Sequence, residues 1–189
     1  ELTEKATRAC RVLSRWDMKT NIDSIGNQVF YLFWQKARKI DNLHILPFDP
    51  EKPLDTPRGL NIKDRDTRLQ LIQSLDYAVD VFDDNLLPLD AKWGDLQYEI
   101  RNGKKISLFG GGFDAGNFSA MRAKLTKGEG WSEILHGNSY IQTVTWNDDG
   151  VVAEGILSYS QSSDPASPHY QDQTELYSEK KWVKLPFKE

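Results

Sequence analysis

Gly137-Asn138-Ser139, with His136 just before it, is the stretch of this sequence that most invites a chemical reading, because a serine hydroxyl near an imidazole is what a hydrolase needs for nucleophilic attack. A nucleophile elbow requires Gly-x-Ser-x-Gly on a strand-to-helix turn. Here Tyr140 and Ile141 follow Ser139, the second glycine is missing, and the next residues read as a strand. Triad partners meet in space and not in sequence, so a strand-start serine bonded to backbone is the favoured reading of Ser139 over a nucleophile. His44, His136 and His169 have no i,i+4 spacing and share no helix bearing a glutamate, which disfavours zinc and leaves His169 as a loop anchor. Gly110-Gly111-Gly112 is not followed by Lys-Ser/Thr and reads as a turn rather than a phosphate cradle. Asp148-Asp149-Gly150 lacks the spaced oxygens of a calcium loop and also reads as a turn. Asp80, Asp83 and Asp84 lie near a helix C-terminus, where negative charge is unfavourable; they are either solvated, the favoured reading, or in contact with another segment. No cofactor or metal is expected from these residues.

The chain that carries them has 189 residues, 24 Lys plus Arg against 28 Asp plus Glu, and a net charge of −4. That length suits one core. Basic residues dispersed among acids do not form the uncompensated cationic surface that phosphate binding demands, so no nucleic-acid partner is expected. No apolar run reaches the ~20 residues of a spanning helix, and no membrane is expected. Cys10 is the single cysteine and says nothing about compartment. The opening Glu1-Leu2-Thr3-Glu4-Lys5-Ala6 has neither an initiator Met nor a signal-peptide pattern, so the chain is expected to be a processed or truncated piece of a longer one.

Residues 1–40 read as two helices. Leu2, Ala6, Ala9, Cys10 and Leu13 make the stripe of the first. The second, from about Ser24 to Ile40, sets Ile25, Val29, Leu32, Phe33, Ala37 and Ile40 on one face and Phe30, Tyr31 and Trp34 on the other, so both faces require cover. Pro47, Pro50, Pro53 and Pro57 make 41–60 an extended connector. Residues 61–87 read as a long helix capped by Asn61, with Asp64 and Asp66 in its first turn and Leu71, Leu75, Ala78, Val79, Phe82 and Leu86 as its stripe.

From Gln97 the period becomes two, and 97–187 reads as antiparallel hairpins. Asn102-Gly103 marks the first. A two-residue loop there would oppose Ile100 to Lys105 and split the apolar residues between faces, so a longer connection or a bulge setting Ile100 against Ile106 is expected. The second hairpin joins Ser139–Trp146 to Val151–Ser160 through a four-residue loop and opposes Trp146 to Val151, Val144 to Ala153 and Tyr140 to Leu157. With Ile141, Val152 and Ile156 on its other face, that sheet is expected to be covered on both sides. A Ser/Asp/Pro loop to His169, a helical turn from Asp172 and a last strand near Trp182 to Phe187 complete an α+β chain of one segment, without internal repeats.

One run of residues is more specific than any of these patterns. His136-Gly137-Asn138-Ser139-Tyr140-Ile141-Gln142-Thr143-Val144, then Tyr159 to Gln173 with Gln161, Asp164, Pro168, His169, Tyr170 and Asp172, then Leu176-Tyr177-Ser178 and Trp182, resembles the C-terminal end of the β chain of the penicillin acylase family. Ala9-Cys10 with Leu13 and Trp16-Asp17, Thr56-Pro57-Arg58-Gly59-Leu60, and Trp93-Gly94-Asp95-Leu96-Gln97 ahead of Arg101-Asn102-Gly103 resemble the same region in the same order. The likeness runs over almost the whole chain and is strongest to the branch of acyl-homoserine lactone acylases and aculeacin-type acylases.

The resemblance implies an N-terminal nucleophile hydrolase built as an αββα sandwich. In that family an exported, periplasmic precursor cuts itself into α and β chains, and the new terminal Ser attacks a linear amide with its own α-amino group as base and an Asn with backbone N–H groups around the oxyanion. It implies quorum-quenching or antibiotic-metabolising chemistry on small N-acyl substrates, and partners in the α chain and the rest of the β chain. Family members bind calcium in some cases, though no calcium site is evident here. The first residue is Glu1, and the family's nucleophile, oxyanion Asn and neighbouring Arg precede the matched region, so no catalytic residue is carried onto this sequence. Its expected role is structural, with Ser139, Tyr140, Gln161, Asp164, Pro168, His169, Tyr170 and Asp172 as the structural motif. The isolated chain is expected to be inactive and to expose apolar surface, including Phe30, Tyr31 and Trp34. A self-sufficient binding module and an independent serine hydrolase using Ser139 and His169 are the alternative readings.

Overall fold

Three helices, α1 (Glu4–Leu13), α2 (Asn27–Ala37) and α3 (Arg65–Asp84), dominate the first part of the computed structural model, which describes residues 2–186. Thr3 starts α1 by accepting the Ala6 N–H at 3.0 Å. The buried stripe of α1 is Ala6, Ala9 and Val12, with Leu2 and Cys10 exposed, which corrects the expected line through Cys10. Its rotation is fixed by polar contacts to α3: Thr3 with Asp76, Lys5 with Asp80, and the Arg8 guanidinium doubly bonded to Asp83 at 2.8 and 2.9 Å. Asp80 and Asp83 of the acidic run thus contact another segment rather than being merely solvated, while Asp84 is exposed. Arg8 holds the Asp83 carboxyl below its usual value.

Gly26, at φ 100°, turns the chain into α2, and a Cβ there would press on the Trp16 side chain at 3.0 Å. Trp16 in turn covers Phe30 (ring centroids 5.0 Å apart), which stacks on Trp34. Phe30, Tyr31 and Trp34 are therefore half-buried and not the bare surface expected of them. The cap of α3 is Asp64, not Asn61: its carboxylate accepts the Thr67 N–H at 2.8 Å, and that bond keeps its pKa below the usual range. A charged acceptor gains both the hydrogen bond and the helix dipole, whereas a neutral amide gains mainly the first. At the other end Leu86 turns at φ 59° into solvent and Leu87 is buried in its stead. Within 41–60 the chain is not simply extended, because β1 (His44–Leu46) pairs antiparallel with β2 (Arg58–Leu60).

These elements belong to one compact unit, made of the chain up to Lys19 with Ile25–Ala91. Thr20–Ser24 and the chain from Lys92 onward make a second. The connector 41–60 lies inside the first unit and does not divide the chain.

The second unit begins with the short helix α4 (Trp93–Leu96) and continues in antiparallel hairpins: β3 (Tyr98–Arg101) with β4 (Lys104–Ser107), β5 (Met121–Thr126) with β6 (Gly130–Gly137), and β7 (Tyr140–Asn147) with β8 (Gly150–Leu157). After α5 (Asp172–Ser178), β9 (Val183–Leu185) adds to β8, giving the order β7-β8-β9. Phe187, expected in this last strand, lies outside the described residues. The chain is thus mixed helix and antiparallel sheet, an α+β arrangement.

Two expectations about register are corrected. Asn102 and Gly103 both take positive φ (48° and 76°), the type I′ geometry, so Ile100 does oppose Lys105 and no bulge intervenes. Ile106 is buried and Ile100 is left exposed, because the turn's own preference outweighs the burial of one isoleucine. The loop of the β7–β8 hairpin is two residues, Asp148-Asp149, with Asn147 opposite Gly150; the pairs Trp146–Val151, Val144–Ala153 and Tyr140–Leu157 stand as expected. That face is not covered among the described residues, where Trp146 is 74% exposed. The core of the unit takes the opposite face, joining Ile141 and Ile156 to Ile106, Leu108, Met121 and Tyr177.

Candidate functional site

Arg101, the last residue of β3, is the centre of the best-built polar site in the second unit. Glu99 lies two residues earlier on the same face of the strand, and its Oε2 accepts the Arg101 Nε–H at 2.8 Å. The pair is largely buried, with side-chain exposures of 11% and 22%. Arg101 Nη1 donates to the carbonyls of Tyr159 (3.0 Å) and Tyr170, and its guanidinium lies 5.0 Å from the Tyr170 ring centroid. Next to it Asn102 Nδ2 donates to the Pro165 carbonyl at 3.0 Å. Arg101 and Asn102 thus hold the loop 160–173 at two of its carbonyls, Pro165 and Tyr170, and at the Tyr159 carbonyl just before it.

The motif residues inside that loop bond mainly to one another and to backbone. The His169 carbonyl accepts the N–H groups of Gln161 and Ser162, Asp164 Oδ1 accepts the Ala166 N–H at 2.9 Å, and His169 Nδ1 lies 2.8 Å from Asp172 Oδ2. Burial acts to raise the Asp172 carboxyl, but hydrogen bonds from His169, the Gln173 N–H and Ser160 outweigh it and hold the pKa below the usual value. Pro168 is exposed, and Gln173 Oε1 accepts the Leu157 N–H at 2.9 Å, tying α5 to the end of β8. A cavity of about 440 Å³ opens between Arg101, Tyr159, Tyr170 and Ser160–Ser163. The guanidinium donors are already directed at Glu99 and backbone carbonyls, so this arrangement suits a clamp rather than an anion receptor.

Ser139 is brought to no base. It is exposed at the start of β7, its carbonyl accepts the Ser158 N–H at 3.1 Å, and among the described residues no hydrogen bond joins its hydroxyl to His136 or His169. Tyr140 beside it is exposed. His136 faces solvent on β6 opposite Arg122, and His44 belongs to the other unit. Among the described residues no group of three His, Cys, Asp or Glu could hold a metal ion, and no helix is long and apolar enough to cross a membrane.

A second constellation explains a motif whose job the sequence did not reveal. Trp93 Nε1 (2.7 Å) and Gln97 Nε2 (3.2 Å) both donate to the Gly110 carbonyl, and Gln97 Nε2 also reaches the Leu108 carbonyl at 2.9 Å. Gly94 between them packs against Ile22 and Ser107, where a Cβ would come to 2.8 and 2.9 Å. The same region holds Tyr177, 2% exposed, whose hydroxyl meets Ser119 and the Phe109 carbonyl.

Burial pushes the Tyr177 phenol up to about 12, against a smaller opposing effect of Ser119. The fold therefore favours the neutral phenol: this stability is complete below the free phenol's pKa near ~10 and is lost as pH rises from about 10 towards 12. The difference between the free and the buried phenol corresponds to roughly 3 kcal/mol. Tyr177→Phe is expected to lower stability modestly at pH 8 but to flatten its decline above pH 10. Denaturant unfolding at both pH values measures this, and an undiminished alkaline slope in the variant would contradict it.

Comparison with known proteins shows the family. The family model for penicillin amidase matches residues 1–189. Acyl-homoserine lactone acylase PvdQ of Pseudomonas syringae pv. syringae (strain B728a) is 36% identical over 193 residues, covering 100% of this chain and 25% of that protein. PvdQ of Pseudomonas fluorescens (strain Pf0-1) is 33% identical over 181 residues, 95% of this chain and 23% of that protein. Aculeacin-A acylase of Actinoplanes utahensis is 30% identical over 184 residues, 97% of this chain and 22% of that protein. The chain spans about a quarter of the length of the curated relatives it matches. The chain that carries this loop clamp and packing motif therefore belongs, by a match over its whole length, to the penicillin amidase family.

Proposed function

We propose that this chain is the C-terminal portion of the β chain of an N-terminal nucleophile amidohydrolase, one that cleaves linear amides of the acyl-homoserine lactone or penicillin-like N-acyl class. Its part is structural. It supplies helices and antiparallel strands to an αββα sandwich, while the nucleophile, its α-amino base and the oxyanion donors lie elsewhere in the full-length, periplasmic protein. Its partners are the α chain and the rest of the β chain, and it takes no cofactor of its own.

The observation that carries this reading is the end-to-end family likeness, together with a Ser139 at the start of β7 that meets neither His136 nor His169. Amide cleavage requires a nucleophile, a base within hydrogen-bond reach and oxyanion donors in one pocket, and neither His136 nor His169 is hydrogen-bonded to Ser139 to act as its base. The names of the relatives support an acyl-amide substrate.

In the full-length protein, hydrolysis of an N-acyl-homoserine lactone or of a penicillin side-chain amide is expected to depend on a terminal Ser and to keep its kcat/KM in Ser139→Ala. The 189-residue chain alone is expected to hydrolyse neither substrate. Turnover by the chain alone that Ser139→Ala abolishes would replace this reading with an independent serine hydrolase.

A further inference from the structure

The two outer strands of the β7-β8-β9 sheet are built in opposite ways. β9 is three residues long and carries Lys184, the short, charged edge by which proteins discourage unwanted strand pairing. β7 is eight residues long, Tyr-Ile-Gln-Thr-Val-Thr-Trp-Asn, with no charge and no proline, and its register with β8 is unbroken from Tyr140 to Asn147. None of the usual protections of an edge is present.

The ladder shows which backbone groups that edge presents. The Ser158 N–H donates to the Ser139 carbonyl, and Asn147 closes the two-residue loop opposite Gly150, so the hydrogen-bonded positions of β7 are the odd-numbered ones. Tyr140, Gln142, Val144 and Trp146 therefore turn both N–H and C=O away from β8. Among the described residues no hydrogen bond reaches these groups. The side chains of Tyr140, Val144 and Trp146 are exposed as well, so an open ladder and an apolar face coincide.

We propose that β7 is an internal strand in the full-length protein, paired along Tyr140, Gln142, Val144 and Trp146 with a strand from the part of the polypeptide outside these 189 residues. The occupant follows from size: the relatives are about four times as long as this chain, so most of the polypeptide is available to cover the edge. A strand supplies both needs at once, completing the backbone ladder and placing alternate side chains against Tyr140, Val144 and Trp146. The proposal rests on the reading of the chain as part of a larger acylase and names the surface where the larger part attaches.

Hydrogen exchange at residue resolution in the full-length mature protein tests it. All of the β7 amides are expected to be protected, with those of 140, 142, 144 and 146 exchanging ~100-fold or more slowly than free amides. Alternation, with these four at free rates while 141, 143 and 145 stay slow, would show an open edge and overturn the proposal. A photo-crosslinking residue in place of Gln142 or of Trp146 is expected to link to a peptide outside residues 1–189. A link to a second copy instead would overturn it too. Amide hydrolysis dependent on the terminal Ser is measured on the same sample: an active acylase with an open β7 edge defeats only this proposal, and a paired edge in an inactive protein defeats only the functional reading.

Discussion

Replacing Arg101 by Met is expected to destabilise the protein by about 3 kcal/mol and to free the loop 160–173, whereas His169→Ala in the same loop is expected to cost under ~1 kcal/mol. The difference lies in burial. Arg101 and Glu99 are mostly removed from water, so the substitution leaves a buried carboxylate without its partner and strips donors from the Tyr159 and Tyr170 carbonyls. His169 and Asp172 form their pair at the surface, with side-chain exposures of 59% and 39%, where water replaces what is lost. Arg101→Lys should rescue little, because one ammonium cannot span Glu99 and two carbonyls as the guanidinium fork does. Urea unfolding of the full-length protein, with limited proteolysis of the loop, measures both effects; a larger loss for His169→Ala would refute the clamp.

Gly110→Ala is expected to be more damaging than Gly103→Ala, although both glycines take positive φ, 92° and 76°. Strain at such a φ costs ~1 kcal/mol or somewhat more wherever it occurs. At Gly103 a Cβ meets nothing within 4 Å, so strain is the whole cost. At Gly110 the Cβ would meet the Ser119 carbonyl oxygen well inside van der Waals distance, backbone against backbone, with no flexible side chain to yield. Moving that segment would also disturb the Trp93 and Gln97 bonds to the Gly110 carbonyl, each worth ~1 kcal/mol. A total of ~4 kcal/mol against ~1 kcal/mol is expected, read as the difference in unfolding free energy. Equal losses would mean that the loop shifts freely and that the packing is not confining.

How far the sequence could be read follows from which forces act locally. The helices, the Asn102-Gly103 turn and the pairing of Trp146 with Val151 were legible because periodicity and turn chemistry operate over a few residues. The family was legible because the run from His136 through Trp182 resembles the end of its β chain, and the family model matches the whole chain. The β5–β6 hairpin was not delineated, since its register shifts between Arg122 and Ala123 and between Lys124 and Thr126 interrupt the period-two signal. Core burial alone favours a bulge that sets Ile100 against Ile106, but the local preference of the Asn102-Gly103 turn prevails and opposes Ile100 to Lys105.

Of the candidate site, the sequence by itself determined the residue types: a loop rich in Ser, Asp and Pro that bonds to its own backbone, and an Arg-Asn-Gly turn ahead of it. Only the tertiary structure decided that these belong together, because the bonds from Arg101 to the Tyr159 and Tyr170 carbonyls span 58 and 69 residues and nothing periodic marks their ends. The same holds for Asp80 and Asp83 of α3, whose charge alone points to solvent but which pair with Lys5 and Arg8 across 75 residues. Side-chain type and local spacing fix how a segment can fold, but which distant segment satisfies its remaining donors, acceptors and apolar faces is settled by packing, where those groups must be paired once water is excluded.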